Sequence, residues 1–158
     1  MPSPIRPTDD EARALARQLI DTARFAGLGV LEDGHPMVTR VALGTDDSGV
    51  PISLVSELSH HTKALTRDGR CSLLVGEPGA KGDPLTHPRL TLRATATLIR
   101  HSDAGFPALR ARYLLTHPKS KLYIDFADFH FARFDVASAY LNGGFGKAFS
   151  LTPADLGL

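Results

Sequence analysis

Residues 89–99, Arg-Leu-Thr-Leu-Arg-Ala-Thr-Ala-Thr-Leu-Ile, alternate without a break. Leu90, Leu92, Ala94, Ala96 and Leu98 fall on one side, and Arg89, Thr91, Arg93, Thr95 and Thr97 on the other. A period of two is that of a β-strand; wound as a helix, the same residues would scatter their apolar groups around the whole circumference. A long strand with one polar face suits the wall of a barrel whose outer side meets a ligand or a partner.

The remaining apolar runs extend this pattern. Residues 25–31 lead into Asp33-Gly34, a strong hairpin signal, and residues 37–43 form the return strand. Residues 45–49 turn again into a third strand, 50–55, which predicts a three-stranded meander. The near-continuous apolar run 71–75 predicts a central strand covered on both faces, and 128–142 is the last long strand. Thr8 and Glu11 form a capping box ahead of an amphipathic helix carrying Ala12, Leu15, Ala16, Leu19, Ile20 and Ala23 on one stripe. A second helix is predicted over 102–116, capped by Ser102 or Asp103 with Pro107 in its first turn. Residues 1–7 hold three prolines and read as a flexible arm, and 76–88 as a long irregular loop. The expected fold is mainly β (α+β): six antiparallel strands in meander order with flanking helices, closing as a small barrel. Nothing alternates βαβ, and no repeat or linker interrupts the chain, so one domain is expected over 1–158.

Charge and cysteine usage narrow the function. The formal net charge is +1 with lysine and arginine scattered, which gives no footprint for nucleic acid. No apolar run approaches a membrane span, and the start of the chain lacks the apolar centre of a signal peptide. Cys71 stands alone within an apolar run, so it reads as a structural thiol without an internal disulfide. A cytoplasmic setting is the default expectation. The seven histidines show no metal-ligand spacing: His60 and His61 are adjacent and point apart, so no metal is expected. No Gly-x-Ser-x-Gly elbow occurs, and no side chain stands out as a general acid or base.

One stretch carries chemistry. At 50–65 a strand gives way to a polar turn and a short helix, gathering Ser56, Ser59, His61, Thr62 and Lys63. Hydroxyls, an ammonium and free backbone N–H groups at a helix start favour an anion, a phosphate most of all. The plainer alternative is a solvated loop in which Ser59 or Thr62 is an ordinary N-cap. Arg40 has the parity of Val38 and Ala42, so its guanidinium stands beside apolar neighbours and calls for an anionic partner. Asn142-Gly143-Gly144-Phe145-Gly146 predicts a sharp bend with positive φ angles.

Taken together, 37–41, Leu54-Val55-Ser56-Glu57-Leu58-Ser59-His60-His61-Thr62-Lys63-Ala64-Leu65, 71–74 and Arg89-Leu90-Thr91-Leu92 resemble the FMN-binding split-barrel family related to pyridoxamine 5'-phosphate oxidase. Residues 123–129, followed by 142–148, are similar to the haem-utilisation branch of that family. The resemblance spans roughly residues 10 to 151 and implies a homodimer of six-stranded split barrels with FMN in clefts at the subunit boundary. Carried onto this chain, it implies that Thr39, Arg40, Ser56, Thr62 and Lys63 hold the phosphate. Val41, Ala42, Glu57 and Leu58 would approach the flavin edge, with His61, Arg89 and Thr91 as further lining.

The implied activity is an FMN-dependent oxidoreductase, its chemistry residing in the isoalloxazine and its electrons coming from a reductant such as NAD(P)H. Two alternatives stand beside it: a haem-binding or haem-utilisation protein, and a flavin-carrying module without turnover. No residue is assigned as catalytic under any of the three.

Overall fold

The computed structural model describes residues 4–158. Its strands are β1 (Ile5–Arg6), β2 (Phe25–Glu32), β3 (His35–Ala42), β4 (Gly44–Thr45), β5 (Pro51–Ser56), β6 (Arg70–Val75), β7 (Arg89–Ile99), β8 (Phe129–Asn142) and β9 (Ala148–Leu151). Its helices are α1 (Asp10–Thr22), α2 (His60–Arg67) and α3 (Phe106–Thr116). The six long strands are the six expected; β1, β4 and β9 are short additions, making nine.

The strand order is β1-β9-β8-β7-β6-β2-β3, and β5 joins β8 from outside that path. The expected three-stranded meander is therefore not formed. β2 pairs with β3 and β6, whereas β5 leaves β3 and pairs with β8 from Ile52↔Arg133 to Ser56↔Phe129. The departure begins just after β3, where β4 pairs locally with Ile52 and Pro51. Asp46 holds that corner: its Oδ1 accepts N–H bonds from Ser48 and Val50, both at 2.9 Å. β3 lies against β5 without a ladder, so the sheet stays open there, as a split barrel does.

β8 is the long spine. One of its edges pairs with β7 along the whole strand; the other pairs with β5 near its start and with β9 near its end. The β7 register shifts between Arg93↔Ser138 and Ala94↔Val136, which leaves Ala137 as a bulge residue. A bulge bends and twists the strand that carries it, which lets β8 serve both halves. At the β2–β3 turn, Asp33 (φ 50°) and Gly34 (φ 78°) both take the left-handed conformation, as a two-residue hairpin turn requires.

Two apolar clusters fill the interior. The larger joins Ala16 and Ile20 of α1 and Ala64 and Leu65 of α2 to Leu28, Leu73, Leu92, Phe134 and Leu141 of the sheet. The smaller sits under α3, where Phe106, Leu109 and Tyr113 meet Ile52, Leu54 and Phe131. β6 is not covered on both faces as expected: Leu73 and Val75 are buried, but Leu74 is 51% exposed.

Three local expectations change. The N-cap of α1 is Asp9, whose carboxylate accepts the Ala12 N–H, while Thr8 Oγ1 donates to Ser150 O. α3 starts at Phe106 behind Gly105, because Asp103 instead accepts the Arg100 N–H at 2.7 Å. The flexible arm is partly ordered: Ile5 and Arg6 pair in parallel with Ala148 and Phe149, while residues 1–3 lie outside the described residues.

Candidate functional site

β3 and α2 meet through one polar contact. Thr39 Oγ1 and His61 Nδ1 are hydrogen-bonded at 3.0 Å. His61 is half-buried, and burial pushes its imidazole below the usual value, toward the neutral form. Its neighbour His60 points away to Glu32 at 3.1 Å. The two adjacent histidines thus diverge, as adjacent helical residues must.

The start of α2 lacks a side-chain cap. Ser59 is the N-cap residue, but its hydroxyl makes no capping bond, and Lys63 is the first residue whose N–H meets a protein carbonyl, that of Ser59 at 3.2 Å. Thr62 is 2% exposed, and its Oγ1 has no hydrogen-bond partner. Donors left over at a helix start, with a hydroxyl among them, are suited to an anion.

The turn ahead of α2 is clamped by Asp128, just before β8, by His130 within it and by Arg100, just after β7. Ser56 Oγ donates to Asp128 Oδ2 at 2.9 Å and accepts the Leu58 N–H at 3.2 Å. The Glu57 N–H donates to Asp128 O at 2.7 Å. Glu57 Oε1 accepts from His130 Nε2 at 2.5 Å and from Arg100 Nη1 at 2.8 Å. The His130 bond above all holds the Glu57 carboxyl below the usual carboxylate range, with Arg100 adding to it. Ser56 and Glu57 thus spend their side chains on the protein, and the Leu58 side chain is exposed.

Arg40 stands on the outer face of β3. Its guanidinium carbon lies 5.4 Å from the Phe25 ring centroid. Both residues line a groove of about 720 Å³ together with Arg24, Gly27, Thr39 and Leu74. Val38, also on this wall, is 74% exposed. Val41, on the interior side of β3, is buried in the main core, and Ala42, on the side of Arg40, packs against the α3 cluster. Lys63 is not beside Arg40: it lines a separate groove of about 520 Å³ with His60, Arg67 and Glu32.

Arg89 and Thr91 lie on the same sheet face as Arg40 but further across it. Registers run Arg40↔Gly27↔Leu74↔Thr91↔Tyr140 in a single row over five strands. Arg89 donates to Leu85 O at 2.9 Å and borders a third hollow with Thr91 and Tyr140. The residues brought together are therefore Thr39 with His61, Arg40 with the Phe25 groove, and Ser56 to Thr62 around the start of α2.

Sequence reasoning missed Phe25, Arg24, Arg100 and the partnership of His130 with Glu57. Phe25 was within reach: a two-residue turn at 33 and 34 sets Gly27 opposite Arg40 and Phe25 opposite Ala42. The Glu57–His130 contact had no such signal, because it depends on β5 leaving the meander to pair with β8. Among the described residues no three His, Cys, Asp or Glu side chains gather as a metal site, and no helix is long and apolar enough to cross a membrane.

An open antiparallel barrel with β5 split from β3, and a strand-to-helix turn beside the gap, defines the split-barrel class. The model of the CREG β-barrel family matches residues 7–156, and the chain belongs to that family. It is 37% identical over 123 residues to the chloroplastic heme oxygenase HOZ of Arabidopsis thaliana, a match covering 71% of this chain and 36% of HOZ. The chain thus spans about a third of that relative. A heme binding protein from Mycobacterium smegmatis superposes with TM-score 0.83 at 30% identity, over 97% of this chain and 61% of that one. A Clostridium acetobutylicum protein of the pyridoxinephosphate oxidase family superposes with TM-score 0.67 at 14% identity, over 94% and 99% of the two chains, a likeness of fold.

Proposed function

We propose that this chain binds haem in the groove that holds Phe25, Gly27 and Arg40. The observation that carries this reading is the pairing of a flat apolar floor with an exposed guanidinium. Gly27 has no Cβ, so the floor between Val38 and Leu74 stays shallow, and a Cβ built there would stand 3.8 Å from each. A groove of about 720 Å³ is in the range for a cofactor site. Arg40 neutralises a propionate at its edge, and Phe25 offers an aromatic face. The names of two relatives at 37% and 30% identity support haem over other flat anions. Haem, when bound, supplies an iron centre and a conjugated macrocycle; the protein supplies the apolar floor, the counter-charge and orientation.

A second reading is an FMN-dependent oxidoreductase, drawing electrons from NAD(P)H, or a flavin carrier without turnover. It is favoured by the uncapped start of α2 with the buried, unpartnered Thr62 hydroxyl, which suits a phosphate better than a carboxylate. Under either reading a second copy of the chain covers the outer sheet face, where Val38, Leu74, Phe25 and Tyr140 leave apolar surface exposed.

The test is a parallel titration of the purified chain with haem and with FMN, following the Soret band and flavin fluorescence. Saturable haem binding at one per chain, weakened about tenfold (1.4 kcal/mol) in Arg40→Ala, supports the first reading. Saturable FMN binding without a Soret change, lost in Thr62→Val, supports the second.

A further inference from the structure

We infer that His130 is a positioning residue for the start of α2, acting through Glu57. This rests on the reading of that turn and of the His61–Thr39 contact as part of the cofactor site.

His130 sits in β8 and is 5% exposed. Its Nε2 is committed to Glu57 Oε1 at 2.5 Å, and its Nδ1 is buried without a partner. Arg100 Nη1 also approaches Nε2, at 3.4 Å, so Glu57, Arg100 and His130 meet on one side of the ring. The ring is held from the other side by His101, edge to face at 5.8 Å, which in turn stacks on Phe106 at 4.1 Å. A ring locked in this way fixes Glu57 against an immobile wall. Arg100, by contrast, reaches the same oxygen from an exposed side chain and can leave it.

Glu57 lies in a turn whose backbone is pinned by Glu57 N–H to Asp128 O, Leu58 N–H to Ser56 Oγ and Ser59 N–H to Ser56 O. Immediately beyond come the uncapped N–H groups of α2 and then His61, bound to Thr39 on the wall of the groove. The chain of contacts His130–Glu57–turn–α2–His61–Thr39 therefore links a buried imidazole to the groove edge without His130 touching a ligand. Local order of this kind is what sets the free energy of opening a short segment.

The experiment uses the full chain with His130→Leu and His130→Gln. Glutamine places an amide N–H near the position of Nε2 and keeps the bond to Glu57; leucine removes it. Amide hydrogen exchange at Glu57, Leu58 and Ser59, the bonded amides of the turn, is measured without ligand, and haem and FMN are then titrated as probes. His130→Leu is expected to raise exchange at 57–59 about tenfold with β6 and β7 amides unchanged, and to weaken whichever probe binds the wild type about fivefold or more. His130→Gln is expected to restore both. Unchanged exchange at 57–59 in His130→Leu, or loosening that glutamine does not rescue, overturns the inference. If His130→Leu does not fold, Glu57→Ala removes the same contact from the exposed side, and unchanged exchange there overturns it equally. If neither probe binds the wild type, the functional reading fails while the exchange arm still decides the role of His130.

Discussion

Thr39 Oγ1 lies 3.0 Å from His61 Nδ1, and this bond ties the strand that lines the groove to the helix that starts beside it. Replacing Thr39 with valine keeps the shape and removes the partner. Thr39→Val is expected to lower stability by about 1 kcal/mol, read by urea unfolding, with no change in far-UV dichroism.

His61 also sets a pH response. Burial lowers its pKa below the ordinary 6.5, so the unfolded chain takes up the proton first. The contribution of His61 is at its most favourable above pH 6.5, declines as pH falls from there toward the folded-state value, and stops declining below it. Melting temperatures of wild type and His61→Gln between pH 8 and 4 should converge across that window, the wild type losing more than the variant. Parallel curves would show that His61 is not desolvated.

Asp46 closes the corner where β5 leaves β3. It accepts two backbone N–H bonds and pairs with Arg133 Nε at 2.9 Å, its own side chain being 11% exposed. Asp46→Ala is expected to cost about 2 kcal/mol, because it orphans two amides and leaves Arg133 without its carboxylate; Asp46→Asn keeps one acceptor and should cost less. The urea midpoint should drop by about 1 M for alanine.

Cys71 is half-buried and is expected to react slowly in the native state. Its thiol donates to Ala94 O at 3.6 Å, and burial pushes its pKa up to about 11. At pH 7.5 an aromatic disulfide reagent should modify it mainly as the chain opens, so the rate should rise with urea in step with unfolding.

Gly76 ends β6 with φ +104°, and a Cβ there would come 2.5 Å from Pro88 O. At Gly34 the φ is +78°, yet nothing stands within 4 Å of the built Cβ. Gly76→Ala should therefore destabilise by about 2 kcal/mol or more, and Gly34→Ala by about 1 kcal/mol, both measured by thermal unfolding.

Period and turn chemistry made most of the fold legible. The six long strands carry local signals: alternation in β7, the Asp33-Gly34 pair between β2 and β3, and the apolar run of β6. What was not legible is non-local. Nothing in residues 43–52 says that β5 will abandon β3 for β8, because the decision also lies in α3 and in Arg133, which is 87 residues from Asp46 in the chain. The same gap hid the site's inner partners. Ser56, Ser59, His61, Thr62 and Lys63, and separately Arg40, are readable as anion-favouring, but Arg40 and Lys63, alike in charge, face different grooves once α2 is placed.

Optical titration of the purified chain with haem tests the central claim most directly. The account predicts a Soret band that saturates at one haem per chain and weakens about tenfold in Arg40→Ala. A spectrum equal to that of free haem at every ratio, or wild-type affinity in Arg40→Ala, would contradict it.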